Sequence, residues 1–317
     1  MSKTKKVKLF ISCAAILCCG VVSVLNPAKA KADETAFINL NGVALTQEQH
    51  SRLLRYFDED TISTMSKTLL DSVKDNNSLK VVADQEKFIR QDTFFDKKGG
   101  VLSETETEIP AEEAYRSMTS VIRRSSIDNY STSVKRIHLR VITEGGSKKV
   151  ITLTNTWITM PVTKSYDVIA VRPVIHNSIG LGIINHFDES SISGYQKYNN
   201  GQMVTYSGKS DNVKISDVLT GEHGGVGISM NIPNSVSSGL SNSITVKLLT
   251  GADTVTVYGT YQHAKSAVSL SESKSYSFDS SGLGGVLKFN STSIRNKYDG
   301  MTGVRVVYHE GDEFNEY

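Results

Sequence analysis

Past residue 19 the chain has no cysteine, since Cys13, Cys18 and Cys19 all fall near its start. The remainder therefore has no disulfide framework, no thiol nucleophile and no cysteine metal site. It also has no dense Lys/Arg patch interleaved with aromatics, which removes support for nucleic-acid binding. No GxGxxG, GxxxxGK[ST] or GxSxG motif occurs, so the sequence signals neither a dinucleotide or phosphate cradle nor a hydrolase nucleophile elbow. No repeat of fixed period appears, which argues against solenoids and propellers. Nothing in the sequence calls for a cofactor.

Long apolar runs are equally scarce. The one that exists spans 9–25, follows Lys3, Lys5, Lys6 and Lys8, and precedes two overlapping A-x-A sites in Ala28-Lys29-Ala30-Lys31-Ala32. That arrangement reads as a secretory signal peptide over 1–32, cleaved after Ala30 or Ala32. A lipoprotein anchor fits poorly, because Leu17 and Cys18, rather than small residues, precede the candidate cysteines. Residues 1–32 hold six lysines and no acids; subtracting these from the 35 basic residues of the chain leaves 29 against 33 acidic ones. The exported product is thus mildly acidic, and with no second spanning run and no sorting signal in HEGDEFNEY it is expected to be released.

What the chain has in quantity is β-branched residues. With 38% hydrophobic and 21% charged content it can bury a sizeable core. In 134–142, Ile137, Leu139 and Val141 alternate with Lys135, His138, Arg140 and Ile142, the period of a half-buried strand. Glu144-Gly145-Gly146-Ser147 supplies a hairpin turn. Ile151, Leu153, Asn155 and Trp157 then share one face of a return strand, with Thr152, Thr154 and Thr156 on the other. The next run, 166–171, is apolar on both faces and predicts an inner strand. The three runs are expected to form the central meander of one sheet, with Trp157, the only tryptophan, as a core anchor.

Before the meander, 33–118 predicts a small helical head with a hairpin. Thr46-Gln47-Glu48-Gln49 is a capping box, Leu53, Leu54 and Phe57 follow as an apolar stripe, and Ser66 caps a helix through Leu69, Leu70 and Val73. Residues 79–109 read as two extended arms joined at Asp96-Lys97-Lys98-Gly99-Gly100, followed by a helix opened by Pro110. Residues 119–317 read as the main domain, with strands at 202–207, 244–249, 254–262, 285–289 and 303–309. The pair 244–249 and 254–262 is expected to turn back across Gly251-Ala252-Asp253. The fold class is therefore mainly β (α+β): the helical segment and hairpin, then an antiparallel β-sandwich.

Candidate chemistry is sparse. His176, His186, Asp188 and Glu189 form the sharpest polar cluster, flanking Ile179-Gly180-Leu181-Gly182; they are the candidate binding residues, and His176, His186 and Asp188 would serve a hydrolase or metal-dependent enzyme. Their spacing fits no zinc motif. Glu104, Glu106 and Glu108 share one strand face, which reads as a solvated edge rather than a calcium site. The glycine runs 221–227 and 282–285 read as turns. The Ser/Thr-rich stretches 125–133 and 235–243 raise a pore-forming alternative, so membrane contact stays open, but neither alternates cleanly enough for a spanning strand.

Asn41-Gly42, the stretch 45–49, Leu53-Leu54, Val101-Leu102-Ser103, Trp157-Ile158-Thr159-Met160-Pro161 and Ser165-Tyr166-Asp167-Val168-Ile169 come in an order that resembles a family of secreted Gram-positive bacterial proteins with no assigned activity. The resemblance covers most of the chain after the signal and implies secretion and a shared architecture, with no catalytic residue to carry over. The expectation is a secreted, non-enzymatic binding protein whose partner is a protein or glycan surface, with oligomeric state open.

Overall fold

The computed structural model describes residues 35–119, 130–146, 148–176, 186–216, 224–236, 238–249, 254–300 and 303–309. The chain opens with strands β1 (Thr35–Ile38) and β2 (Ala44–Thr46) and the short helices α1 (Gln47–Leu53), α2 (Glu59–Thr64) and α3 (Lys67–Val73). Capping starts each helix. Thr46 and Gln49 form a reciprocal box on α1, while the side chains of Asp58 and Ser66 accept from the backbone of Thr61 and Leu69. α1 stops at Leu53, so of the expected stripe Leu53 and Phe57 are buried, whereas Leu54 is 44% exposed. Helices this short gain their stability from packing. Leu53, Phe57, Ile62, Leu69 and Val73 cover Ile142 and Val150 on the outer face of the sheet below.

That sheet contains β3 (Lys80–Phe95) and β4 (Val101–Ile109), with α4 (Ala111–Thr119) following, then β5 (Tyr130–Thr143) and β6 (Lys148–Thr159). β3 pairs with β5 from Lys80 to Phe94, so the hairpin assigned from sequence to the 33–118 segment shares one sheet with the main domain; 35–317 form one compact unit. The turn between β5 and β6 places Gly145 and Gly146 at φ 93° and 60°, a region costly for residues with a Cβ.

β7 (Tyr166–His176), β8 (His186–Phe187), a 3-10 turn at Glu189–Ser191, β9 (Ser193–Tyr198), β10 (Met203–Ser207), β11 (Val213–Ser216), β12 (Gly225–Asn231), β13 (Leu240–Leu249) and β14 (Thr254–Gln262) follow. After them come α5 (Leu270–Ser273), β15 (Tyr276–Leu283), β16 (Leu287–Phe289), α6 (Thr292–Arg295) and β17 (Val304–His309). The larger sheet has the order β10-β9-β13-β6-β5-β3-β4 with β8 beside β13, and the facing sheet the order β11-β12-β7-β14-β17. The fold is thus the expected mainly β sandwich. Two connections differ from expectation. β7 leaves the β5–β6 hairpin and enters the facing sheet between β12 and β14, so the three runs are not one meander. β13 and β14 likewise lie in opposite sheets rather than pairing across 251–253. In both cases the chain crosses the sandwich, which strand periodicity does not encode.

The core between the sheets gathers Ile137, Leu153 and Trp157 from one side and Ile169, Val226 and Val257 from the other. β7 is apolar on both faces for a clear reason. Ile169 and Val171 face that core, while Val168 and Ala170 lie under Tyr276, Phe278 and Phe289 of the β15–β16 hairpin. Gly225, within the run expected as a turn, instead starts β12, and a Cβ there would collide with the Phe278 ring. Gly225→Ala is therefore expected to cost about 1–3 kcal/mol by overpacking, read as a lowered urea midpoint; an unchanged midpoint would contradict the close approach. Among the described residues no helix is long and apolar enough to cross a membrane.

Candidate functional site

The sequence candidates lie at the end of β7 and in the stretch from β8 into the 3-10 turn. His176 ends β7 opposite Thr254 in one sheet, and His186 pairs with Leu249 in the other. Their side chains, and residues 177–185 between them, lie outside the described part of the structure, as do 217–223 of the first glycine run. The Asp188 carboxylate accepts from the Ser190 N–H at 3.0 Å and so caps the 3-10 turn, and Glu189 is exposed. Among the described residues no group of three or more His, Asp or Glu side chains is placed to hold a metal ion.

A groove of about 380 Å³ lies elsewhere, on the outer face of the larger sheet. Period-two alternation builds its floor. With Ile137 and Leu139 facing inward, β5 presents Arg136, His138 and Arg140 outward; β6 adds Thr152, Thr154 and Thr156, β13 adds Ser241 and β9 adds Tyr195. The segment from Leu54 to Asp60, which runs from the end of α1 into the first turn of α2, makes the wall with Tyr56, Phe57 and Asp58. Its basic side chains are paired, whereas the Asp58 carboxylate caps α2. Arg140 donates Nη2 to Asp84 Oδ2 at 2.7 Å and Nη1 to the Tyr56 carbonyl at 3.0 Å. His138 also contacts Asp84, Arg136 contacts Glu86, and Lys197 holds Asp60 at 2.6 Å. Burial alone would raise the Asp84 carboxyl, but hydrogen bonds and charge from His138 and Arg140 outweigh it and hold the group below the ordinary aspartate value. Two floor hydroxyls bond one another, Thr156 with Ser241 at 3.1 Å, and Thr152 accepts from the buried Thr245 at 3.5 Å.

A second polar group lies inside the sandwich. Lys135, whose charge predicts an outward position on β5, faces inward in phase with Ile137. It lies opposite Ile89 of β3 and Trp157 of β6 and is fully buried. Its Nζ donates to Asp299 Oδ2 at 2.7 Å and sits 4.9 Å from the Trp157 ring centroid. Asp299 Oδ1 accepts from the His263 backbone N–H at 3.0 Å. Asp167, also fully buried, accepts from the Tyr261 hydroxyl at 2.5 Å, the Ala264 N–H at 2.9 Å and His263 Nδ1 at 3.0 Å. Trp157 Nε1 and Asn242 Nδ2 both donate to the Tyr261 oxygen at 3.1 Å.

The acidic face of β4 closes this cluster, which corrects the solvated-edge reading for two of its three members. Glu108 is exposed and pairs with Lys87 at 2.9 Å. Glu106 turns in, 3.7 Å from Lys135 Nζ, and its carboxyl is pushed up to about 7 by burial first and then by the Asp299 charge. Glu104 is raised for the same two reasons. One signal was legible in advance, a lysine at a core-facing position of an otherwise apolar face. Its partners at 106 and 299 were not, because they arrive from distant parts of the chain.

No protein-family model matches the chain, and no curated protein matches it. Among solved structures it is similar to the collagen-binding domain from a Staphylococcus aureus adhesin, at 12% identity over 51% of this chain and 88% of that one, with a TM-score of 0.26. It is also similar to the KRT10-binding region domain of the pneumococcal serine-rich repeat protein PsrP, at 15% identity over 73% and 100% of the two chains, TM-score 0.26. A third is AvmM, which catalyses macrocyclization in alchivemycin A biosynthesis, at 9% identity over 54% and 84%, TM-score 0.25. At these scores the likenesses assign the chain to no family and carry no functional argument.

Proposed function

We propose that the chain is an exported, non-enzymatic binding protein whose ligand seat is the groove under the α1–α2 segment, and that its ligand is an uncharged saccharide. The observation that carries this reading is a hydroxyl-lined floor in which the surrounding basic side chains are already paired with carboxylates. Arg136 with Glu86, Arg140 and His138 with Asp84, and Lys197 with Asp60 spend these cations on carboxylates, which disfavours an anionic ligand, while their remaining lone pairs and N–H groups stay fixed in place. Thr152, Thr154, Thr156 and Ser241 add hydroxyls, and the half-buried Tyr56 adds apolar ring surface. A sugar ring offers the matching set of hydroxyls and C–H faces.

The test is a glycan array on the full-length protein followed by titration calorimetry of the strongest hit. Thr154→Arg, which projects a long side chain into the groove from a half-buried floor position, is expected to weaken binding by about a hundredfold, or ~2.7 kcal/mol, with the melting temperature unchanged. Retained affinity in that variant, or no saccharide bound, would remove the groove reading. Export is checked separately by mass spectrometry of the secreted protein. The expected N-terminus follows Ala30 or Ala32, and a membrane-retained chain still carrying Met1 would oppose it.

A further inference from the structure

The buried cluster holds an amine and two carboxyl groups within reach of one another, and that combination has a chemistry beyond ion pairing. We propose that Lys135 and Asp299 condense into an intramolecular amide, with Glu106 relaying the proton, so that a covalent bridge joins β5 to the segment leading into β17. The proposal is independent of what the groove binds.

The reacting groups are held in place before reaction. Both side chains have zero exposure and meet at 2.7 Å. The Lys135 ammonium is fixed over Trp157 at 4.9 Å and Tyr261 at 5.9 Å. Asp299 is oriented by the His263 N–H on Oδ1 and by the Gln91 amide on Oδ2 at 3.4 Å. Two groups confined at contact distance react as if at very high concentration, which lets an uncatalysed amide condensation compete in a folded protein.

Burial supplies the activation. In a site closed to water an ion pair loses its hydration, so transfer of one proton across the Lys135–Asp299 hydrogen bond yields a neutral amine and a carboxylic acid, the nucleophile and the electrophile that condensation needs. The nitrogen lone pair attacks Asp299 Cγ and forms the C–N bond. A proton then passes from nitrogen to the departing oxygen, the C–O bond breaks, and one water leaves. Ammonium plus carboxylate thus become amide plus water, with no change of oxidation state and no further reactant.

Glu106 is the group placed to carry that proton. Its Oε1 lies 3.7 Å from Lys135 Nζ, is itself buried and has no hydrogen-bond partner. With its carboxyl pushed up to about 7, it can both donate and accept near neutrality.

The same molecule contains a contrasting pair. Lys247 Nζ meets Glu144 Oε2 at 2.6 Å, also buried, but its third neighbour is the Ser72 hydroxyl at 3.1 Å rather than an acid. That pair has no comparable proton relay and is expected to remain ionic. An amide at 135–299 would close a loop of 164 positions between facing sheets, the place a disulfide takes in other exported proteins, in a chain with no cysteine past residue 19.

The experiment is a tryptic peptide map of the natively folded full-length protein by tandem mass spectrometry. The expected result is a branched peptide joining the segments around Lys135 and Asp299, lighter by one water than its two parts, with no cleavage after Lys135. Lys135→Arg and Asp299→Ala should yield only linear peptides. Glu106→Gln, with its fold checked by circular dichroism, should form the branch about a hundredfold more slowly. Linear peptides alone from the folded wild type would reduce the cluster to a buried ion pair and overturn the proposal. A branch at Lys247–Glu144 instead, or one that persists in Lys135→Arg, would overturn it as well. Should a variant fail to fold, the wild-type map decides alone.

Discussion

Trp157→Ala is expected to destabilise the protein by about 3 to 5 kcal/mol, seen as a fall of roughly 10 °C in melting temperature for a chain of this size. Three effects combine. The indole is 1% exposed and fills the space between the two sheets beside Ile137 and Leu153, so its removal leaves a cavity. The Nε1–H bond to Tyr261 disappears, and Lys135 loses the ring on which its side-chain nitrogen rests. Trp157→Phe separates these contributions. It keeps an aromatic face under Lys135 and most of the volume, so it should cost about 1–2 kcal/mol. A denaturation midpoint for Trp157→Ala equal to that of the wild type would place the tryptophan outside the core.

Asp167→Ala is expected to be comparably severe, at about 3 to 5 kcal/mol, because removing one partner of a buried pair leaves the other uncompensated. Asp167 collects a tyrosine hydroxyl, a backbone N–H and the His263 ring where no water replaces them. The pH dependence gives a sharper readout. Burial pushes the His263 imidazole down, but the Asp167 charge and hydrogen bond, helped by Asp299 and opposed by Lys135, carry it above the ordinary histidine value. A histidine raised in the folded state stabilises fully below its unfolded value of about 6.5, and that contribution is lost as pH rises through the higher folded value. The wild type should therefore lose stability as pH increases from about 6.5, and Asp167→Asn should flatten that part of the profile. Urea titrations across this range in both proteins decide the matter; parallel profiles would show that His263 does not titrate against Asp167.

Much of the architecture was legible from local chemistry. Thr46 with Gln49, and Ser66 before Leu69, mark helix starts because a capping bond closes within three residues. The β5–β6 turn is visible in its glycine pair, and the burial of Trp157 follows from its phase with Ile151 and Leu153. Lys135 marks where such reading failed. Its charge suggested solvent, whereas its phase with Ile137 put it inside, and the phase prevailed because Asp299 and Glu106 were there to receive it.

The groove shows another limit. Thr152, Thr154 and Thr156 are ordinary strand residues, and nothing local reveals that the Leu54–Asp60 segment passes over them. His176 closes β7 in one sheet and His186 opens β8 in the other, with both side chains outside the described residues.

By itself the sequence determined the two extended arms of 79–109, the strands within 134–171, the helix starts after Thr46, Ser66 and Pro110, and the shared face of Ile151, Leu153 and Trp157, since these depend on side-chain period, capping and turn chemistry within a few residues. Only the tertiary structure decided that β7 and β14 cross to the facing sheet, that 54–60 roofs a groove, and that residues 106, 135 and 299 converge. Those outcomes depend on which hydrogen-bonding edges and buried charges find one another across the whole chain.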